Sequence, residues 1–265
     1  MLLFIKKESR LLLPVFILLL NFSIVSAQTS GTGLRSIVID AGHGGTDNAT
    51  RGAISREKDV TLKIALKLGK AIQAKFPNIK VSYTRVTDVH VPLYKRIELA
   101  NNLKADLFIS LHCNSVPPKT ARRTTVKGTE TFVSGYNRLK EQDVAIRENA
   151  SILLEKDYQK NYDGYDPKDP ESIIILSLIK NVHRTNSIKF ATLIQREFRL
   201  AGRTDRGVKE QSLAVLARAS MPAVLTEVGF ISNPTEEKYI NSYSGQQEIV
   251  TSMVKAVENF KKFLD

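Results

Sequence analysis

Ser36-Ile37-Val38-Ile39-Asp40-Ala41-Gly42-His43-Gly44-Gly45 is the stretch on which the fold turns. A β-branched apolar run feeds a glycine-rich turn, and a strand ending in such a turn is how α/β folds present a site at a sheet edge. Residues 46–56 are polar and read as a loop. From about Asp59 the apolar positions Val60, Ile64, Leu68, Ile72 and Phe76 recur every four residues, which draws one face of a helix. Lys80 to Arg85 alternates like a strand, and Pro92 opens a helix to about Leu103, where its missing N–H costs nothing. Asp106 to Leu111 reads as a third strand and runs into His112-Cys113-Asn114-Ser115, and Gly128 to Ser134 reads as a fourth. Thr185 to Leu200 reads as a helix, Leu213 to Ala217 and Ala223 to Val228 as two further strands, and the tail from Ile249 to Leu264 has helical spacing.

Strands alternating with helices predict an α/β fold: a single domain with a twisted, mostly parallel sheet flanked by helices. One stretch departs from the alternation. Helix-like segments at Glu141 to Lys156 and Glu171 to Lys180 flank a Tyr-, Asp-, Gly- and Pro-rich run from Asn161 to Pro170, so a helical insertion is expected at about 137–183.

The first 27 residues stand apart. Lys6, Lys7 and Arg10 precede an apolar run from Leu11 to Leu20, and a small residue, Ala27, closes the segment. That is the build of a secretory signal peptide, and the run is short for a membrane span, which takes roughly 20 apolar residues. No cysteine follows to carry a lipid. Residues 1–27 are therefore expected to be a signal peptide, with a retained anchor as the alternative. Residues 28–35 read as a flexible lead and 36–265 as the folded domain. The expected site of action is exported, periplasmic or envelope-associated, with no stable membrane insertion after cleavage. Net charge is +12 over 265 residues. The leader holds three Lys/Arg and Glu8, so the remainder keeps 12 − 2 = +10. A basic exported protein suits anionic wall polymers, and no Arg-rich recognition helix or zinc finger argues for nucleic acid. Cys113 is the only cysteine, so no intrachain disulfide holds the domain.

His43 and His112 each follow a strand, and Glu57 lies just before a helix, 14 residues after His43. A hydrolytic zinc site needs three such ligands and an open position for water. The spacing alone equally allows histidines that never meet. Glu227 sits at the end of an otherwise apolar strand, where a carboxylate is costly unless it is paired or used. An ion pair with one of the many arginines and a catalytic role are both open. Cys113, adjacent to His112 on a strand, should point the other way into the core. His90 and His183 read as surface residues, and Asn114 could orient substrate or metal.

Four motifs then occur in order. Val38-Ile39-Asp40-Ala41-Gly42-His43-Gly44-Gly45, Arg56-Glu57-Lys58-Asp59-Val60, Ala105-Asp106-Leu107-Phe108-Ile109-Ser110-Leu111-His112-Cys113-Asn114, and Pro222-Ala223-Val224-Leu225-Thr226-Glu227-Val228-Gly229-Phe230-Ile231-Ser232-Asn233 span nearly all of residues 28–265. Thr84-Arg85, Val91-Pro92-Leu93, Arg96 and Ala100-Asn101 fall between the second and third. Together they resemble the zinc-dependent N-acetylmuramoyl-L-alanine amidases of the amidase-3 group. The resemblance implies Zn2+ held by His43, Glu57 and His112, and Glu227 as catalytic acid and base. It implies hydrolysis of the amide between N-acetylmuramic acid and L-alanine in peptidoglycan, in wall remodelling and daughter-cell separation. The chain departs from the group after Gly45, with Thr46-Asp47-Asn48-Ala49-Thr50-Arg51-Gly52, which puts the shape of the Glu57 loop in doubt. In related amidases a helical segment can cover the site until a protein activator displaces it. Here Glu141, Glu148, Glu155 and Glu171 are carboxylates that could approach the metal, or merely solvated acids on a packing insertion. An exported zinc peptidase acting within the stem peptide and a non-catalytic wall-binding protein are the rival readings.

Overall fold

The computed structural model describes residues 33–135, 142–179 and 182–265. The expected signal peptide, most of the lead, and Glu141 lie outside the described residues. In chain order the elements are β1 (Ser36–Ala41), α1 (Glu57–Lys75), β2 (Lys80–Tyr83), α2 (Leu93–Asn102), β3 (Leu107–Asn114), β4 (Thr129–Ser134), α3 (Asp143–Asn149), α4 (Tyr158–Asn161), α5 (Ile173–Ser177), α6 (Arg184–Leu200), β5 (Asp205–Gln211), α7 (Ala214–Ala217), β6 (Ala223–Phe230), α8 (Pro234–Asn241) and α9 (Tyr243–Leu264). Short 3-10 turns at Ala150–Leu154 and Pro170–Ser172 lie within the segment from α3 to α5.

The six strands form one sheet in the order β2-β1-β3-β6-β4-β5. Every neighbouring pair is parallel except β4 with β6. Because side chains alternate across a strand, the sheet separates two cores. Ile37, Ile39, Leu107, Ile109, Leu111, Cys113 and Val224 face one side, packed with apolar residues of α1, α6 and α9. Val38, Phe108, Phe132 and Leu225 face the other, packed with α2, α7 and residues of the insertion. Burial on both faces makes the central strands read as continuous apolar runs. The same parity places Asp40, Ser110, His112, Glu130 and Glu227 on the second face. It also sends Cys113 into the first core, fully buried.

Two local expectations change. Leu213 to Ala217 is expected as a strand, yet Ala214–Ala217 is a turn of helix, α7. A short, wholly buried apolar run carries no periodicity with which to tell the two apart. The strand there is instead β5, which ends at Gln211, two residues before Leu213. Its sequence, Asp-Arg-Gly-Val-Lys-Glu-Gln, is that of a half-buried edge strand with no apolar alternation. The helix expected from Glu141 to Lys156 breaks at Asn149. The Asn149 side-chain amide donates to the Ser212 carbonyl (2.9 Å) and its oxygen accepts from the Ala214 N–H (2.9 Å), which ties the end of α3 to α7.

Candidate metal centre

The glycine-rich turn after β1 is fastened by two buried guanidiniums. Arg96 donates to the carboxylate of Asp40 (2.8 Å) and to the carbonyls of Ala41 (2.8 Å) and His43 (2.9 Å). Arg85 donates to the carbonyls of Ala41 (2.9 Å) and Gly42 (2.8 Å). This grip holds His43 at φ 60°, a conformation that L residues seldom adopt. Gly42 must lack a side chain: a Cβ there would lie 2.5 Å from the His112 ring.

Three further carriers converge on His43. His112 stands on β3. Glu57 is the first residue of α1, where a carboxylate suits the helix dipole. Its Oε1 accepts from the Cys113 N–H (2.9 Å) and its Oε2 from the Thr50 hydroxyl (2.8 Å), so the loop of uncertain shape folds back and fixes it. Glu148 enters from α3. His43 Nε2 lies 3.1 Å from His112 Nδ1, 3.3 Å from Glu57 Oε1 and 3.0 Å from Glu148 Oε2. His112 Nδ1 lies 3.1 Å from Glu57 Oε1 and 3.0 Å from Glu148 Oε2. A tetrahedral zinc with bonds of about 2.05 Å needs its ligand atoms about 3.3 Å apart. These four buried atoms could therefore hold one such ion between them. Asp47 accepts from His43 Nδ1 (2.9 Å), which leaves Nε2 with its lone pair aimed at the cluster.

Glu227 is the register partner of His112 across β3 and β6, so both side chains leave the same face of the sheet. It is fully buried; its Oε1 accepts from Arg147 Nη2 (2.9 Å), and its Oε2 has no hydrogen-bond partner among the described residues. Burial pushes its carboxyl well above the usual carboxylate range, against the pull of Arg147, and the charges of Glu148 and Glu57 add to the rise. Burial works against the charged form of His112 as well, but Glu148 and Glu57 outweigh it and raise the ring to about 9. Glu57 moves the opposite way: burial would raise it, and the His43 charge holds it well below the usual range. A high carboxyl beside low ones is the separation that acid–base chemistry requires.

The N-acetylmuramoyl-L-alanine amidase family model matches residues 37–259. The chain belongs to that family. Among curated amidases, AmiC from Escherichia coli is 30% identical over 226 residues, covering 84% of this chain and 52% of that one. AmiA from Escherichia coli is 29% identical over 255 residues, covering 90% and 80%. The chain thus spans about half the length of AmiC and most of AmiA. The N-acetylmuramoyl-L-alanine amidase of Clostridium difficile 630 superimposes with a TM-score of 0.64 at 26% identity, covering 86% of this chain and 97% of that one.

Within this amidase domain, the structure brings together all four residues that sequence reading singled out, His43, Glu57, His112 and Glu227. Of the candidate acids in the insertion that lie among the described residues, Glu148 alone joins the cluster. Glu155 instead accepts from the Leu93 N–H (2.9 Å) and the Tyr162 hydroxyl (2.8 Å), and Glu171 lies in the Pro170–Ser172 turn. Asn114, on β3, donates to Glu130 (2.7 Å) and accepts from Arg147 (3.0 Å). His90 and His183 are half-buried and outside the cluster. Asp47 and Arg147 escaped notice. Asp47 had a signal, an acid four residues from a ligand-type histidine; Arg147 had none beyond its place next to Glu148.

Proposed function

We propose that the domain hydrolyses the amide bond between the lactyl group of N-acetylmuramic acid and L-alanine in peptidoglycan, with Zn2+ held by His43, Glu57 and His112. The observation that carries this reading is the set of ring-nitrogen and carboxylate atoms 3.0–3.3 Å apart, with the fully buried Glu227 in register with His112 beside them. Zinc, when bound, polarises the scissile carbonyl and lowers the pKa of a coordinated water towards about 7. Asp47 holds the His43 tautomer. Glu227 takes a proton from the attacking water and returns it to the leaving amine of L-alanine.

With α3 in place, this amidase is in a closed form. Glu148 occupies the fourth position, where water and substrate must come, and its neighbour Arg147 engages Glu227. Displacement of α3 therefore precedes turnover, and a protein activator is the partner that would drive it. The exposed apolar side chains of Ile146, Leu153, Leu154 and Leu178 on the insertion offer such a partner a grip. Residues 1–27 direct export, so the site of action is the cell envelope. Among the described residues no helix is long and apolar enough to cross a membrane.

The test is digestion of purified peptidoglycan, with and without a chelator, and identification of the products by mass. Intact stem peptides freed from muramic acid, lost on chelation, are the expected result. Shortened peptides still attached to glycan would replace this reading with a stem-peptide peptidase. Binding to sacculi without products in added zinc would replace it with a wall-binding protein.

A further inference from the structure

We infer that Glu237, on α8, is the positioning residue for Glu57: it holds the turn that presents this carboxylate, and zinc binding depends on it, a role that rests on the reading of Glu57 as a zinc ligand. The Glu237 carboxylate is buried, and four donors close on it. Its Oε2 accepts from the Ala53 N–H, and its Oε1 from the Ile54 N–H, the Ser55 N–H and the Ser55 hydroxyl, each at 2.8 Å. All four belong to one turn, residues 52–55, closed on itself by the Gly52 N–H donating to the Ser55 carbonyl (3.0 Å). Successive N–H groups aimed at one point make an anion-binding concavity. Here a side chain 182–184 residues away along the chain fills it. The fit is close: a Cβ at Gly52 would strike the Glu237 carboxylate. Burial acts to raise this carboxyl, but the Ile54 N–H and the Ser55 hydroxyl hold it below its ordinary value of 4.5. Asn241, one turn further along α8, donates to the Ser55 hydroxyl (2.9 Å) and to the Glu237 carbonyl (2.8 Å).

The turn is the tip of a short antiparallel ladder whose legs end at the metal centre. Arg51 pairs with Arg56, and the Glu57 N–H donates to the Thr50 carbonyl (3.1 Å). The Thr50 hydroxyl in turn donates to Glu57 Oε2 (2.8 Å). A displaced tip therefore shifts Glu57 and its Thr50 support together. The start of α1 has no local fixture that could compensate, because Arg56 gives no side-chain cap. The Cys113 N–H fixes Glu57 Oε1 from the sheet, but only while the turn keeps Glu57 within its reach.

The preceding residue of α8 supplies the contrast. Glu236 is also buried, but it faces another part of the fold. It accepts from the Gly128 and Phe230 N–H groups (3.0 Å each) and pairs with Arg203 (2.9 Å). None of these partners belongs to the 50–57 ladder. Two adjacent buried acids thus brace one helix, and only the second reaches the carrier of a metal ligand. Since α8 follows directly on β6, the segment that bears Glu227 also supports Glu57.

The test compares Glu237→Ala with Glu236→Ala in the full chain, reading zinc affinity against a chromophoric chelator and urea unfolding of the metal-free protein. Each variant removes a buried, hydrogen-bonded carboxylate, so both should lose stability. Only Glu237→Ala should also weaken zinc, by about 10–100-fold, the usual cost of disturbing a ligand's support. Glu236→Ala should bind zinc like the parent. Glu237→Gln, which keeps one acceptor oxygen, should lose less zinc affinity than the alanine variant and more than Glu236→Gln; that glutamine pair decides the question if an alanine variant does not fold. Parent-like affinity in both Glu237 variants, or an equal loss at position 236, overturns the assignment. Glu57→Ala, measured alongside, separates the two levels. A loss of zinc there without one at Glu237 refutes the role of Glu237 and leaves the ligand set standing. Parent-like zinc binding by Glu57→Ala would strike Glu57 from the ligand set, and the inference with it.

Discussion

Arg147 Nη2 lies 2.9 Å from Glu227 Oε1, while the next residue on the same helix, Glu148, places Oε2 3.0 Å from ring nitrogens of both His43 and His112. Adjacent residues of α3 thus engage the two halves of the proposed machinery, one by charge and one by ligation. Either contact alone would hamper turnover, and together they tie closure to a single short helix.

Weakening that closure should raise activity. Glu148→Ala removes the fourth ligand atom and leaves a position for water. The variant should release stem peptide at least about tenfold faster than the parent, the change expected if the closed state loses ~1.4 kcal/mol. Dye release from labelled sacculi reads it directly. Unchanged or lower activity with full zinc content would mean that α3 is packing and not a lock.

Gly42 should matter to the metal and little to the fold. Alanine there would place a Cβ 2.5 Å from Cε1 and Nε2 of His112 and 2.8 Å from the Leu111 carbonyl oxygen. The ring has to move, and Gly42→Ala should lose about 10–100-fold in zinc affinity, as expected when the support of a ligand is disturbed. Competition with a chromophoric chelator measures this. Parent-like affinity would show that His112 does not need its present position.

Acid should loosen the turn that carries His43. Burial acts to raise the Asp40 carboxyl, but Arg96 and the hydroxyls of Ser110 and Thr84 overcome it and bring it below its ordinary value of 3.8. A depressed folded-state pKa adds stability above the unfolded value, and that stability is lost as pH falls through the folded value. Asp40→Asn should cost roughly 3–5 kcal/mol at pH 7, because it strands the buried Arg96 charge. It should also flatten the decline in stability below about pH 4. Urea unfolding at several pH values checks both; a parallel decline in the variant would assign the acid sensitivity elsewhere.

Most of the sheet was legible because its central strands are buried on both faces, as the runs at 36–41, 107–111 and 223–228 announce. What escaped lay where burial is one-sided or very short. The edge strand β5 carries Asp205, Arg206, Lys209 and Glu210 in place of an apolar pattern. The four-residue α7 is too brief for a helical period. The helix α8 did carry a signal: Asn233 accepts from the Thr235 and Glu236 N–H groups, and Pro234 follows it at the first turn. His43, Glu57 and His112 were singled out through the family resemblance, since their spacing alone equally allowed histidines that never meet. That Glu148 rather than Glu155 reaches them depends on the break of α3 at Asn149, a tertiary contact with Ser212 and Ala214 that local pattern does not encode.

The most direct test of the central claim is Glu227→Gln made in the Glu148→Ala background, with zinc per chain and release of intact stem peptide measured on the same sample. The account predicts one bound zinc and a fall in turnover of about 10²–10⁴-fold, the usual worth of a proton-transferring side chain. Turnover comparable to that of the Glu148→Ala parent would contradict it, as would loss of zinc together with activity, because Glu227 would then be a support of the site and not its acid and base.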